Sequence, residues 1–242
     1  MTDWQSALNP TTVASHALVV GDPDRAEQAA ANLEDPQIVL DRREYRIYTG
    51  KFRGRRITIA SHGVGASGAA FIFELLFNAG MQTVIRAGTC GAMVADIPDG
   101  GIVIGTAAIR EDGLSQNMVP MEFPAVADCE IIRALQESSR TLGYEPFWKG
   151  VVLTDGLYFP YPYVPSKIDM WGKLGAVAVE MEYATLLIQA SIHKARAGGI
   201  FVSDGNIVEE PDPMAVDPDK EIISKGIQRM IEISLNALAG ID

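Results

Sequence analysis

The chain has 242 residues, 48% of them hydrophobic and 21% charged, which fits one large α/β domain spanning residues 1–242. Its net charge of −11 argues against a nucleic-acid partner, because phosphate backbones are held by clustered Lys and Arg. No apolar stretch reaches the roughly 18 residues that span a bilayer, "MTDWQSALNP" lacks the basic and apolar regions of a leader, and Cys90 and Cys129 have neither metal-ligand nor disulfide spacing. Both cysteines are expected to be buried thiols, in a cytoplasmic protein without a membrane partner.

"HALVVG" (16–21) is the first predicted strand, and "GDPDR" (21–25) follows it directly. That segment reads either as a Pro-containing turn starting a helix or as an anion cradle, with Gly21 admitting backbone approach and Arg25 presenting a guanidinium. A second strand, "RITIASHG" (56–63), runs into "GVGASG" (63–68) and a helical pattern over 66–79. The glycine spacing is that of a dinucleotide fingerprint, but no acid stands about 20 residues on, so close helix–strand packing is the preferred reading. "TVIRAG" (83–88) places Arg86 inside an apolar strand, where burial is costly unless an anion or a carboxylate meets it. Thr89 and two further glycines follow, and with Arg25 they make a plausible phosphate site.

Strands are predicted at "GIVIGTAAI" (101–109), "GVVLT" (150–154) and "GGIFVSD" (198–204), and helices over 128–142, 181–196 and 217–239. Residues 156–172 and 205–219, rich in proline, read as loops. Strands alternating with helices predict a mainly parallel sheet sandwiched between helices, with ligands at the carboxyl ends of the strands. Asp22, Arg25, His62, Arg86, Thr89, Asp155, Tyr158 and Asp204 fall there. "VEMEYATLL" (179–187) puts Glu180 and Glu182 at a helix start, where the helix dipole favours acids, yet both are also placed to accept from vicinal sugar hydroxyls. Asp204 stands in "SDG", an ordinary turn sequence or a carboxylate held at a strand end.

"VVGDPDR", "REY", "SHGVG", "IRAGTCGA", "EFPAVAD", "VEMEYATL" and "VSDG" resemble, in order and spacing, the nucleoside phosphorylase-I family from about residue 17 to 239. The likeness is to its hexameric purine nucleoside phosphorylases first and its uridine phosphorylases next. It implies a single-domain three-layer α/β/α sandwich with a mixed, mainly parallel central sheet, of the phosphorylase/hydrolase-like kind. It implies phosphorolysis, in which a nucleoside and inorganic phosphate give a free base and ribose 1-phosphate. Phosphate would be the co-substrate, with no cofactor and no metal. Gly21, Arg25, Arg86 and Thr89 would hold phosphate, with Arg43 reaching it from a neighbouring subunit of a homo-oligomer, a hexamer built from dimers. Met181 and Glu182 would grip the ribose, and Tyr158 and Val179 would line the base pocket. Asp204 would donate a proton to purine N7.

The sequence departs from the family at Gln5, where a histidine reaching the 5′-hydroxyl is usual. The segment after "LYFP" lacks the Gln and Arg with which uridine phosphorylases read uracil, and Asp204-Gly205 replaces their Asn-Arg, so a purine is favoured. Rival readings are a uridine phosphorylase, a nucleosidase that uses water, and a nucleoside-binding protein without catalysis.

Overall fold

The computed structural model describes residues 3–157, 163, 167–210 and 220–242. In chain order these form α1 (Asp3–Ala7), β1 (His16–Val20), α2 (Pro23–Ala30), β2 (Glu34–Arg42), β3 (Tyr45–Phe52), β4 (Arg55–Ser61), α3 (Ala66–Asn78), β5 (Thr83–Ala92) and β6 (Ile102–Glu111). There follow β7 (Ala125–Val126), α4 (Cys129–Thr141), β8 (Phe147–Asp155), α5 (Ile168–Lys173), β9 (Ala176–Glu180), α6 (Tyr183–Ile192), β10 (Arg196–Asn206) and α7 (Lys220–Gly240). No described helix is long and apolar enough to cross a membrane.

All the strands join one ten-stranded mixed sheet. At its centre β1 lies parallel between β4 and β5, and β5 is parallel to β10. The next pairings are β10 antiparallel to β6, β6 parallel to β8, β8 parallel to β9, and β9 antiparallel back to β5. Strands β5, β10, β6, β8 and β9 therefore close a ring, while β4, β3 and β2 extend from β1 as an open wing. The wing ends in β2, a largely exposed strand.

Helices cover both faces of the sheet. In β1, Ala17 and Val19 enter the core under α3 and α6, where Phe73, Leu76 and Leu186 pack. Leu18 and Val20 point the other way, into a core with Ala26 of α2, Ile131 of α4 and Met230 of α7. Alternate side chains thus bury on opposite faces, which is why the strand reads as an unbroken apolar run.

The predicted strands form within a few residues of where expected, the helix expected over 181–196 is shorter, and β2, β3 and β9 are further strands. β2 is polar because both of its faces are exposed from Glu34 to Ile38, so no alternation marks it. α5 begins inside the segment read as a loop. β10 runs through "SDG" to Asn206, past the expected turn, because Asn206 pairs with Ala92 and its side-chain amide donates to the carbonyls of Val94 and Ile97 at 3.0 Å each. Cys90 is buried as expected, but Cys129 is exposed because it opens α4, one residue after the Asp128 cap.

Candidate active site

The carboxyl ends of β1, β4, β5, β9 and β10 converge. After β1, the Gly21 carbonyl accepts from Gly63 N at 2.9 Å, tying the first loop to the end of β4. Asp22 acts locally, its carboxylate accepting from Asp24 N at 2.8 Å and capping α2, with Pro23 at the first helical position. The cap directs the next turn so that Arg25 enters the site half-buried. Burial lowers the Arg25 pKa, with Asp22, Arg86 and Asp204 close enough to act on its charge. Among the described residues, Arg25 has neither a hydrogen bond nor an ion pair. A guanidinium stays protonated even so, which leaves a partly dehydrated cation that no carboxylate pairs directly.

Arg86 is the opposite case. It is 3% exposed; its Nε donates to Glu180 Oε2 at 3.0 Å and its Nη2 donates to Glu182 Oε2, with Nη2 also ion-paired to Glu180 Oε2 at 2.8 Å. Burial opposes its charge, but Glu182 and Glu180 outweigh that effect and its pKa is raised. Nη1 alone is buried with no partner. A Cβ at Gly88 would collide with that nitrogen, so the glycine is the space into which Arg86 folds back.

Glu180 differs from the sequence reading. Its carboxylate accepts from Thr154 Oγ1 at 2.7 Å, Glu182 N at 2.8 Å and Tyr183 N at 2.9 Å, besides Arg86, so none of it is left for a sugar. Glu182 accepts from Gly65 N and from Arg86 only, and burial raises its pKa against the pull of Arg86. It keeps acceptor capacity for a hydroxyl pair. In "GVGASG", then, the middle glycine matters most: at φ 89° it opens α3 and aims its N–H at Glu182. Met181 lies half-buried between the two acids.

Asp204 sits where the β5–β10 register shifts, between Ser203 and Asn206. Such a bulge re-aims a side chain out of the sheet. Burial raises the Asp204 pKa and Asp99 adds to this, while a hydrogen bond from Thr89 and the charge of Arg25 oppose it. Thr89, expected at the phosphate, is half-buried near the end of β5 and within reach of Asp204. Val179 is half-buried opposite Gly91 in the β5–β9 pairing. Arg43 is exposed at φ 55° in the turn joining β2 to β3, and among the described residues it makes no hydrogen bond or ion pair. Tyr158 lies outside the described residues.

His62, grouped with the site by its place in the sequence, is fully buried at the end of β4. Its Nδ1 is 2.8 Å from the Gly63 carbonyl and so carries the proton, while Nε2 is unpartnered. Burial first, then Arg86, holds its pKa well below 6.5, and the ring is neutral.

The chain belongs to the phosphorylase superfamily, which it matches over residues 15–239. It is 34% identical over 223 residues to a purine nucleoside phosphorylase of Plasmodium vivax, covering 92% of this chain and 89% of that protein. A uridine phosphorylase of Haemophilus influenzae is also 34% identical, over 205 residues, with 78% of this chain and 81% of that one covered. Among solved structures, the purine nucleoside phosphorylase of Toxoplasma gondii in complex with immucillin-H superposes with a TM-score of 0.89 at 30% identity, covering 95% of this chain and 92% of that one.

Proposed function

We propose that the protein is a nucleoside phosphorylase that prefers purine nucleosides and converts a nucleoside and inorganic phosphate into free base and ribose 1-phosphate. The observation that carries this reading is Arg25: a half-buried guanidinium with no hydrogen bond or ion pair among the described residues, near enough to Arg86 to feel its charge, calls for an anion. Water as the nucleophile would leave that charge without a purpose, which disfavours the nucleosidase reading.

Phosphate sits between Arg25 and Arg86 Nη1 against the Gly21 loop, and Arg43 of a second copy completes the cradle. Glu182 accepts from the ribose 2′- and 3′-hydroxyls, with Met181 against the sugar. Tyr158 and Val179 frame the base. As the C1′–N9 bond breaks, its electron pair leaves with the base and positive charge grows on the sugar, which phosphate stabilises and then captures through a new C1′–O bond. Asp204 delivers its proton to N7, neutralising the departing base. An ordinary aspartic acid, with a pKa near 3.9, is ionised at neutral pH, and the upward shift by burial moves Asp204 towards the form that can donate. Equal identity to purine and uridine enzymes leaves the base to local chemistry, and the acid at position 204 favours purine N7.

The test is release of hypoxanthine from inosine with and without phosphate, beside guanosine, adenosine and uridine. Phosphate-dependent release is expected, fastest on a 6-oxopurine or adenine nucleoside. Phosphate-independent release would establish a nucleosidase, uridine as the best substrate would overturn the purine assignment, and no release would leave a binding protein.

A further inference from the structure

The geometry points to Glu180 as a positioning residue that touches neither substrate and holds Arg86 in register for phosphate; this rests on the phosphorylase reading. Both of its oxygens are saturated by groups from three places in the chain: Thr154 at the end of β8, Arg86 of β5, and the backbone N–H groups of Glu182 and Tyr183 that open α6. Thr154 Oγ1 passes the connection on, accepting from Ala184 N at 2.9 Å. A carboxylate with a 1% exposed side chain and this many donors is a fixed anchor. It clamps Nε and one face of Nη2, which leaves Nη1 as the nitrogen still able to take a new acceptor.

Two effects of Glu180→Gln oppose each other. Removing a negative charge beside the site favours phosphate by Coulomb attraction. Replacing an oxygen with an NH₂ group among donors pushes Arg86 out of register, and misplacement by about 1 Å is worth about 10²-fold in rate. The positioning role requires the second effect to win. Glu180→Gln is therefore expected to weaken phosphate binding in calorimetry and to lower kcat/KM for phosphate by about 10²-fold. Nucleoside affinity without phosphate should change far less.

The decisive comparison repeats Glu180→Gln in an Arg86→Gln background, where a role exercised through Arg86 has nothing left to lose. An unchanged fold-loss there, an equal loss for nucleoside and phosphate, or tighter phosphate binding would each overturn the inference. Thr154→Val, which removes the bond to Glu180 and the acceptor of Ala184 N but no charge, should move phosphate in the same direction by less, with Thr154→Ser restoring it; it decides the matter if Glu180→Gln does not fold. If the wild type binds phosphate but cleaves no nucleoside, the functional reading falls, and calorimetry on the same variants still decides the role of Glu180.

Discussion

In the proposed reaction, the residue on which catalysis turns is Asp204. Its pKa is raised by burial, so its protonated form is favoured in the folded protein relative to the unfolded chain. The associated stability is full below the unfolded pKa and is lost as pH rises through the folded value. Activity that needs the proton falls on the same rise, displaced upward from the usual carboxyl range. Asp204→Asn keeps the shape and cannot deliver a proton. It should lower kcat on inosine about 10²–10⁴-fold, with a smaller change in KM, and should flatten the alkaline fall of the pH profile. 7-Methylguanosine already carries a positive base, needs no N7 proton and should suffer far less. Equal losses on the two substrates, measured side by side, would reassign Asp204 to positioning the site. Much of this was legible in advance, since a carboxylate straight after an apolar strand is conspicuous. Its setting was not, because "SDG" as a turn and "SDG" as a bulged strand have the same local chemistry, and only the pairing of Asn206 with Ala92 decides between them.

At the level of elements, the start of α6 is what the sheet was shaped to receive. Tyr183 is fully buried, its hydroxyl donates to the Gly105 carbonyl at 3.0 Å, and its ring is wedged against Gly105 of β6 and Gly199 of β10, which are register partners. A Cβ on either glycine would stand 2.6 Å from the ring. Gly105→Ala is expected to destabilise by about 1–3 kcal/mol, as overpacking does, and to shift the neighbouring Glu182. Urea unfolding checks the first effect and the KM for nucleoside the second. An unchanged midpoint would mean that the ring has room to move. The glycine pair is visible in the sequence, but its ring is not, because Tyr183 is far away in the chain. Arg86 was half legible in the same way. An arginine in an apolar strand demanded a carboxylate or an anion, and the fold supplies two carboxylates while leaving one buried nitrogen without a partner.

Taken whole, the chain carries most of a site but leaves Arg43 exposed on the β2–β3 turn. If that side chain completes the cradle of a second copy, Arg43→Ala and Arg25→Ala chains are each impaired, and mixing them should regain activity through sites that combine intact halves. Assaying before and after subunit exchange, verified by mass-tagged chains, tests this; unchanged activity would remove Arg43 from the site. Such complementation would join residues of two molecules, which no pattern within one chain records.

The open wing has a consequence for solubility. Ring strands have their edges occupied, so the long free edge of the sheet is β2, and a free edge is a template on which foreign strands can add. β2 meets that hazard with Glu34, Asp35, Pro36, Asp41 and Arg42, and with two breaks in its register against β3, around residues 34–37 and 38–40. Charge, proline and bulges are the usual obstacles to edge-to-edge growth. Pro36→Val combined with Asp41→Thr should leave the melting temperature nearly unchanged while hastening aggregation on prolonged warming, followed by light scattering. A strand that contributes only Leu40 to the buried core would then set how long the protein stays in solution.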